Sequence, residues 1–175
     1  MLNIILGVLG LAVAVVVGLA MTKPNEFRMQ RDTAINAPPE KIFAILNDFK
    51  RWGEFSPWDK KDPAMKRKFG DITAGKGGYY GWEGNKDVGI GSMTIAESTP
   101  STKLVIRLDF VKPFEANNIV EFNLTPQGGA TRVEWSMRGP NNFMNKLMQV
   151  FMDFDKMVGK DFEAGLASLK ASAEK

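Results

Sequence analysis

The sequence predicts an α+β fold: a curved antiparallel sheet of about six to seven strands wrapped on a long C-terminal helix, preceded by one transmembrane-type helix. Three observations carry this reading. Residues 2–21 hold no charged side chain, segments between Phe27 and Met137 alternate apolar with polar residues, and Phe143 to Leu169 place apolar residues at steps of three and four. Period two marks a half-buried strand, and period 3.6 marks a helix with one apolar face. The turns between strands leave no room for crossover helices, so the strands pair antiparallel.

Leu2 to Met21 is long enough, at roughly 1.5 Å per residue, to cross the ~30 Å hydrocarbon core of a bilayer. A cleavable signal peptide is the competing reading, because Gly18-Leu19-Ala20 has the small residues of a cleavage site. Signal cores, however, run to about 7–15 residues behind a basic start, and no Lys or Arg precedes this one. A retained anchor is therefore expected over residues 1–21, then a linker at 22–25 and a folded domain over 26–175. Gly10, Ala14 and Gly18 form a small-residue face on which two copies of the anchor could meet as a homodimer. Lys23, Arg28 and Arg31 follow the span, which by the positive-inside rule sets the domain on the cytoplasmic face.

Phe27, Met29, Thr33 and Ile35 share one parity, with Arg31 as its polar interruption, as in a strand with one face buried. Pro38 drives Ala37 out of helical dihedrals, while Pro39 and Glu40 suit the first turn of a helix. Ile42, Phe43, Leu46 and Phe49 then fall on one helical face. The aromatic, turn-rich stretch from Trp52 to Trp58 has room for a second short helix.

Turn chemistry at Gly84-Asn85-Lys86-Asp87, Thr99-Pro100-Ser101, Lys112-Pro113 and Gln127-Gly128-Gly129 divides a meander of strands. Tyr80 and Trp82 share one side of their strand, as do Met93, Ile95 and Glu97 of theirs. The alternation recurs in Leu104, Ile106, Leu108 and Phe110, in Val120, Phe122 and Leu124, and in Val133, Trp135 and Met137. Such a sheet has one apolar face.

Phe143, Leu147, Phe151, Phe154, Val158, Phe162, Leu166 and Leu169 predict one uninterrupted helix of about seven turns, capped by Asn141 or Asn142. Met144, Met148 and Met152 are expected at the edge of the core. Gly159 costs about 1 kcal/mol against alanine. Something passing close to the helix backbone would explain it, and a neutral accident is the alternative.

The chain has no histidine and no cysteine. That excludes Ser-His-Asp and Cys-His sites, thiolate nucleophiles, and zinc held by nitrogen or sulfur. Acid–base work would fall to Asp, Glu, Lys or Tyr with shifted pKa. Glu97, by parity, is a candidate for the groove; the alternative is a hydrated rim position paired with a Lys or Arg. Tyr80 could orient a polar ligand group or pack its ring and bond the backbone. Arg31 could hold an anionic head group or form an outward salt bridge.

Gly70 to Gly77 nearly matches a phosphate-binding loop, but Gly77 stands where the magnesium-binding hydroxyl belongs and a strand follows. The net charge of +3 is too small to imply nucleic acid. Lys50, Arg51, Lys60, Lys61, Lys66, Arg67 and Lys68 outweigh their acidic neighbours, a patch for anionic head groups or a solvated loop. No catalytic residue, metal or cofactor is assigned.

Four segments resemble the SRPBCC superfamily of helix-grip proteins, which includes START-like lipid-transfer domains and the polyketide cyclase/dehydrase-like branch. They are Ile35-Asn36-Ala37-Pro38-Pro39-Glu40-Lys41-Ile42-Phe43, the Trp52 to Trp58 stretch, Gly78-Tyr79-Tyr80-Gly81-Trp82-Glu83-Gly84, and the final helix. The resemblance covers residues 26–171. It implies a groove between sheet and helix, with lipids, quinones, hormones or polyketides as the ligand classes. An anchor departs from the commonest, soluble members.

A curved sheet cannot fill its own concavity, which points to an apolar pocket. Its expected lining is Tyr80, Trp82, Met93, Ile95, Glu97, Ile106, Leu108, Phe122, Trp135, Phe151, Phe154 and Val158. The expected function is membrane-anchored binding of a hydrophobic small molecule: a lipid, quinone or polyketide-like compound. The alternatives are a protein-interaction or stress-regulatory module with a filled core, and a cyclase or dehydratase-type enzyme, which the missing histidine disfavours.

Overall fold

In the computed structural model, which describes residues 1–175 apart from the side chain of Leu2, strands and helices follow the predicted order. The strands are β1 (Glu26–Ile35), β2 (Lys66–Phe69), β3 (Tyr79–Glu83) and β4 (Ile90–Thr99), then β5 (Lys103–Lys112), β6 (Ala116–Gln127) and β7 (Ala130–Pro140). They form one seven-stranded sheet in the order β1-β7-β6-β5-β4-β3-β2, antiparallel throughout. Helix α1 (Leu2–Met21) precedes it. Helix α2 (Pro39–Leu46), a 3₁₀ helix (Phe49–Glu54) and α3 (Pro57–Lys61) link β1 to β2, and α4 (Phe143–Phe151) and α5 (Phe154–Ala173) end the chain.

Local chemistry sets these boundaries. Pro38 is extended, with ψ 148°, and Pro39 opens α2, which buries Ile42, Phe43, Ile45 and Leu46. Trp52 in the 3₁₀ helix donates its indole N–H to Leu46 O at 2.9 Å, so a buried ring spends its polar atom on the end of α2. The inward rows of β5, β6 and β7 bury Leu104, Ile106, Phe122, Leu124, Val133 and Trp135. Helix α5 crosses β1 and buries Phe162, Leu166 and Leu169 against them. Trp135 and Phe162 stack at 4.3 Å. Gly165 makes room for that stack, because a Cβ there would lie 2.6 Å from Trp135 Cζ3.

The apolar stripe from Phe143 to Leu169 does not make one helix. Met152 is extended (φ −131°, ψ 134°), and Asp153 caps a new helix by accepting a hydrogen bond from Lys156 N at 3.0 Å. The N-cap interaction stops one helix and starts the next without disturbing the spacing of the apolar residues. Its consequence is large, since α4 buries none of its residues in the core. Phe143 and Phe151 are exposed, and so are Met144 and Met152, which therefore do not form a core edge.

Helix α4 packs instead against α1, in which Ala20 is buried and Val16 and Val17 half-buried while nearly all the rest is exposed. By length and composition Asn3–Met21 can cross a membrane, a property that signal sequences share.

Candidate functional site

A cavity of about 230 Å³ lies between the concave face of the sheet and α5. Tyr80, Trp82, Met93, Leu108, Val120 and Trp135 line it from the sheet, and Val158 and Phe162 from α5. Phe110 and Met137 extend the sheet wall toward solvent. Trp52, Ser56 and Trp58 close one side, and Met65 and Val88 another. Trp58 packs edge-on to both Trp135 and Phe162, at 5.9 and 6.4 Å. Among the described lining residues only Ser56, Tyr80, Asp59, Asp161 and the indoles carry polar side-chain atoms.

Most of those polar groups already have partners. Lys61 Nζ donates to Asp161 Oδ2 at 2.6 Å, which ties α3 to α5 across the cavity edge. Arg67 Nε donates to Asp59 Oδ1 at 2.8 Å, and this hydrogen bond holds the Arg67 pKa above its ordinary value. Trp82 Nε1 donates to Val88 O at 3.1 Å. The Tyr80 phenol is pushed up to about 12, chiefly by burial and secondarily by the Asp59 carboxylate. It is therefore a neutral hydroxyl at physiological pH. The chamber is apolar, with its charges paired at the edge. Such a lining selects a ligand by shape and desolvation. A more polar hollow of about 270 Å³ adjoins it, sharing Trp52, Asp59 and Tyr80 and adding Lys50 and Arg67.

Six of the expected pocket residues lie in this wall: Tyr80, Trp82, Met93, Leu108, Trp135 and Val158. Ile95, Ile106 and Phe122 face inward but are packed completely, and lie in the solid core outside the cavity lining. Phe154 is half-buried away from it, and Phe151 projects into solvent because α4 ends there.

Glu97 is turned to the opposite face. A bulge between Ile95 and Glu97 skips Ala96, so Glu97 pairs with the outward residue Val105. Its carboxylate accepts from Thr99 Oγ1 at 3.2 Å and lies 3.8 Å from Lys103 Nζ. Ser98 takes the inward position instead and donates to Asn47 Oδ1 at 2.7 Å.

Arg31 forms ion pairs with Asp155 and Glu163 on α5. Sequence reasoning missed two kinds of lining residue. Phe110, Val120, Met137 and Phe162 share the apolar periodicity and were legible as inward. Ser56, Trp58, Asp59, Met65 and Val88 reach the cavity from loops and a short helix, where no periodicity operates.

Known structures share this architecture. A protein of Chromobacterium violaceum aligns with TM-score 0.60 at 15% identity, over 87% of this chain and 99% of that one. The Aha1 dimer of Colwellia psychrerythraea gives TM-score 0.60 at 16% identity, over 85% of this chain and 96% of that one. The di-domain ARO/CYC BexL from the BE-7585A biosynthetic pathway gives TM-score 0.60 at 12% identity, over 91% of this chain and 53% of that one. At these identities the likeness is one of fold. No protein with a curated description matches the sequence. Residues 26–174 do match the sequence pattern of one family over nearly all of the helix-grip fold, and the chain belongs to it: polyketide cyclase / dehydrase and lipid transport.

Proposed function

We propose that this protein binds a hydrophobic small molecule in the cavity between sheet and α5 while α1 holds it at a membrane. The observation that carries the reading is the chamber itself: apolar walls, edge carboxylates already paired, and a neutral phenol. The family description, which names lipid transport beside polyketide cyclisation, supports the same class of ligand.

Size narrows the class. At about 230 Å³ the cavity falls just below the ~300–1,000 Å³ of ordinary small-molecule pockets. A quinone or polyketide-like ring system, or a single acyl chain, suits that volume; a two-chain lipid does not enter whole. The length and composition of α1 support the anchoring half of the proposal.

Native mass spectrometry of the detergent-extracted full chain is the direct test. A co-purifying apolar compound, or stoichiometric uptake of an offered single-chain lipid or quinone, is the expected result. Repeated absence of any bound compound, with no uptake, would leave the fold serving protein interaction instead.

A further inference from the structure

We infer that α4 and the β5–β6 hairpin form a lipid-facing collar that seats the cavity mouth on a bilayer surface, so that ligand enters from the membrane rather than through water. This rests on the reading that the cavity holds an apolar ligand and that α1 spans a membrane.

Helix α4 has apolar residues that none of the described residues covers. Phe151 is 71% exposed, and Phe143 and Met144 are more than half exposed. Its polar residues are nonetheless tied down. Lys146 Nζ donates to Asn25 Oδ1 at 2.6 Å, and Gln149 Nε2 to Asn141 Oδ1 at 2.8 Å. Asn141 in turn donates through its backbone N–H to Asn25 O (2.8 Å) and through Nδ2 to Pro24 O (2.9 Å). The helix is thus fixed to the segment that joins α1 to β1, with its greasy side outward.

Depth agrees with an interfacial position. The part of α1 that α4 covers is marked by half-buried Val16 and Val17 and buried Ala20. Val16 lies about 7–8 Å along the helix axis from Met21 at ~1.5 Å per residue. Amphipathic helices lying in a membrane surface bury their apolar face by about 5–10 Å. A helix seated at that level of α1 therefore sits at the boundary between head groups and acyl chains.

Sheet register brings the hairpin and the mouth to the same end. Glu26, the first residue after the linker, pairs with Pro140; Arg138 pairs with Ile119, and Ala116 with Phe110. The tip beyond Phe110 consequently lies on the side where α1 joins the sheet. Phe114 at that tip is 63% exposed, and Val111 beside it is exposed too. Of the lining residues that remain partly open, Trp82, Phe110, Met137 and Val158 sit toward this end, while Trp58, Asp59 and Asp161 are half-buried where α3 meets α5. Phe114 and Val111, flanked by exposed Lys112 and Glu115, and the apolar side of α4 stand at the end where the uncharged α1 leaves the sheet. The occupant of such a mixed apolar and charged edge is the interface of a lipid bilayer.

The absence of cysteine makes the test direct. Phe114→Cys, Phe151→Cys and, at the opposite end of the sheet, Gln127→Cys are each labelled with an environment-sensitive fluorophore. The full chain is reconstituted in phosphatidylcholine vesicles and quenched by brominated acyl chains or by aqueous iodide. Brominated lipid is expected to quench positions 114 and 151 by about twofold or more and to leave 127 unchanged, with iodide giving the reverse order.

Equal iodide quenching at all three positions would overturn the collar. So would shielding of 114 and 151 from both quenchers by a second copy, or failure of the chain to float with vesicles. Ligand retention in detergent is measured on the same variants. A bound ligand without lipid contact defeats the collar alone, and lipid contact without a ligand defeats the cavity reading alone.

Discussion

The guanidinium of Arg31 lies in the space that a side chain at Gly159 would occupy. A Cβ built on Gly159 falls 2.5 Å from Arg31 Cζ. From that position Arg31 Nε donates to Glu163 Oε1 at 2.9 Å, and Nη2 donates to Asp155 Oδ2 at 3.0 Å and to Asp155 O at 3.1 Å. Nη1 donates back to Gln30 O at 2.8 Å. One cation thus fastens the middle of β1 to the first turns of α5, and its hydrogen bonds to Asp155 and Glu163 raise its pKa well above the ordinary value.

Gly159→Ala should therefore gain less than the helix-propensity rule predicts. In an exposed helix interior alanine gains about 1 kcal/mol over glycine. Here the methyl group displaces Arg31, and because the carboxylates are largely exposed the ion pairs contribute little individually. The alanine gain and the lost Arg31 contacts should nearly cancel, leaving a change within ~0.5 kcal/mol in urea denaturation. In an Arg31→Ala background the same substitution should turn stabilising. A full gain of ~1 kcal/mol from Gly159→Ala alone, equal to that in the Arg31→Ala background, would show that Arg31 does not occupy that space.

Tyr80 gives the fold an alkaline limit. Its folded pKa, about 12, stands above the ordinary value of 10.0, because burial disfavours the phenolate. The neutral form is thus the one the fold favours. Its contribution is complete below pH ~10, falls as pH rises, and is gone by the folded value. Stability should drop by ~1–2 kcal/mol over that interval, and Tyr80→Phe should flatten the drop. Denaturant melts at stepped pH would decide; an equal fall in the phenylalanine variant would place the cause elsewhere.

The sheet was readable because period two reports burial directly. Leu104, Ile106, Val120, Phe122, Val133 and Trp135 needed only their parity. Glu97 was not readable, since the bulge that reverses its parity at Ala96 has no marker in the local sequence. The break between α4 and α5 left one trace, Asp153, a good capping residue inside an otherwise continuous stripe. Gly159 stood out as an odd helix residue and Gly165 did not; the reasons for both, Arg31 and Trp135, lie on distant strands. Trp58, Asp59 and Val88 reach the cavity only through tertiary folding.

Filling the mouth of the cavity separates ligand binding from stability. Val158 lines the cavity from α5 and is only half-buried, so a larger side chain has an outward route. Val158→Trp should reduce uptake of a fluorescent single-chain lipid by about tenfold or more, equivalent to ~1.4 kcal/mol, while Tm shifts by a few degrees at most. Phe162→Ala, which removes a packed ring, should lower stability by ~3 kcal/mol and reduce uptake with it. Undiminished uptake by the tryptophan variant would mean that ligand binds outside this chamber.

Glu97→Gln should be silent. The Glu97 side chain is 51% exposed on the outer face, and its nearest cation, Lys103, lies at the long edge of an ion pair, 3.8 Å away. Exposed pairs of that geometry contribute between about zero and 1 kcal/mol, so stability should stay within ~0.5 kcal/mol of the parent. Lipid uptake should be unchanged at every pH, because no titrating carboxylate faces the ligand from this strand. A folded Glu97→Gln variant that lost uptake would require the bulge to swing this residue back into the groove. That would restore the inward carboxylate which simple strand alternation predicts.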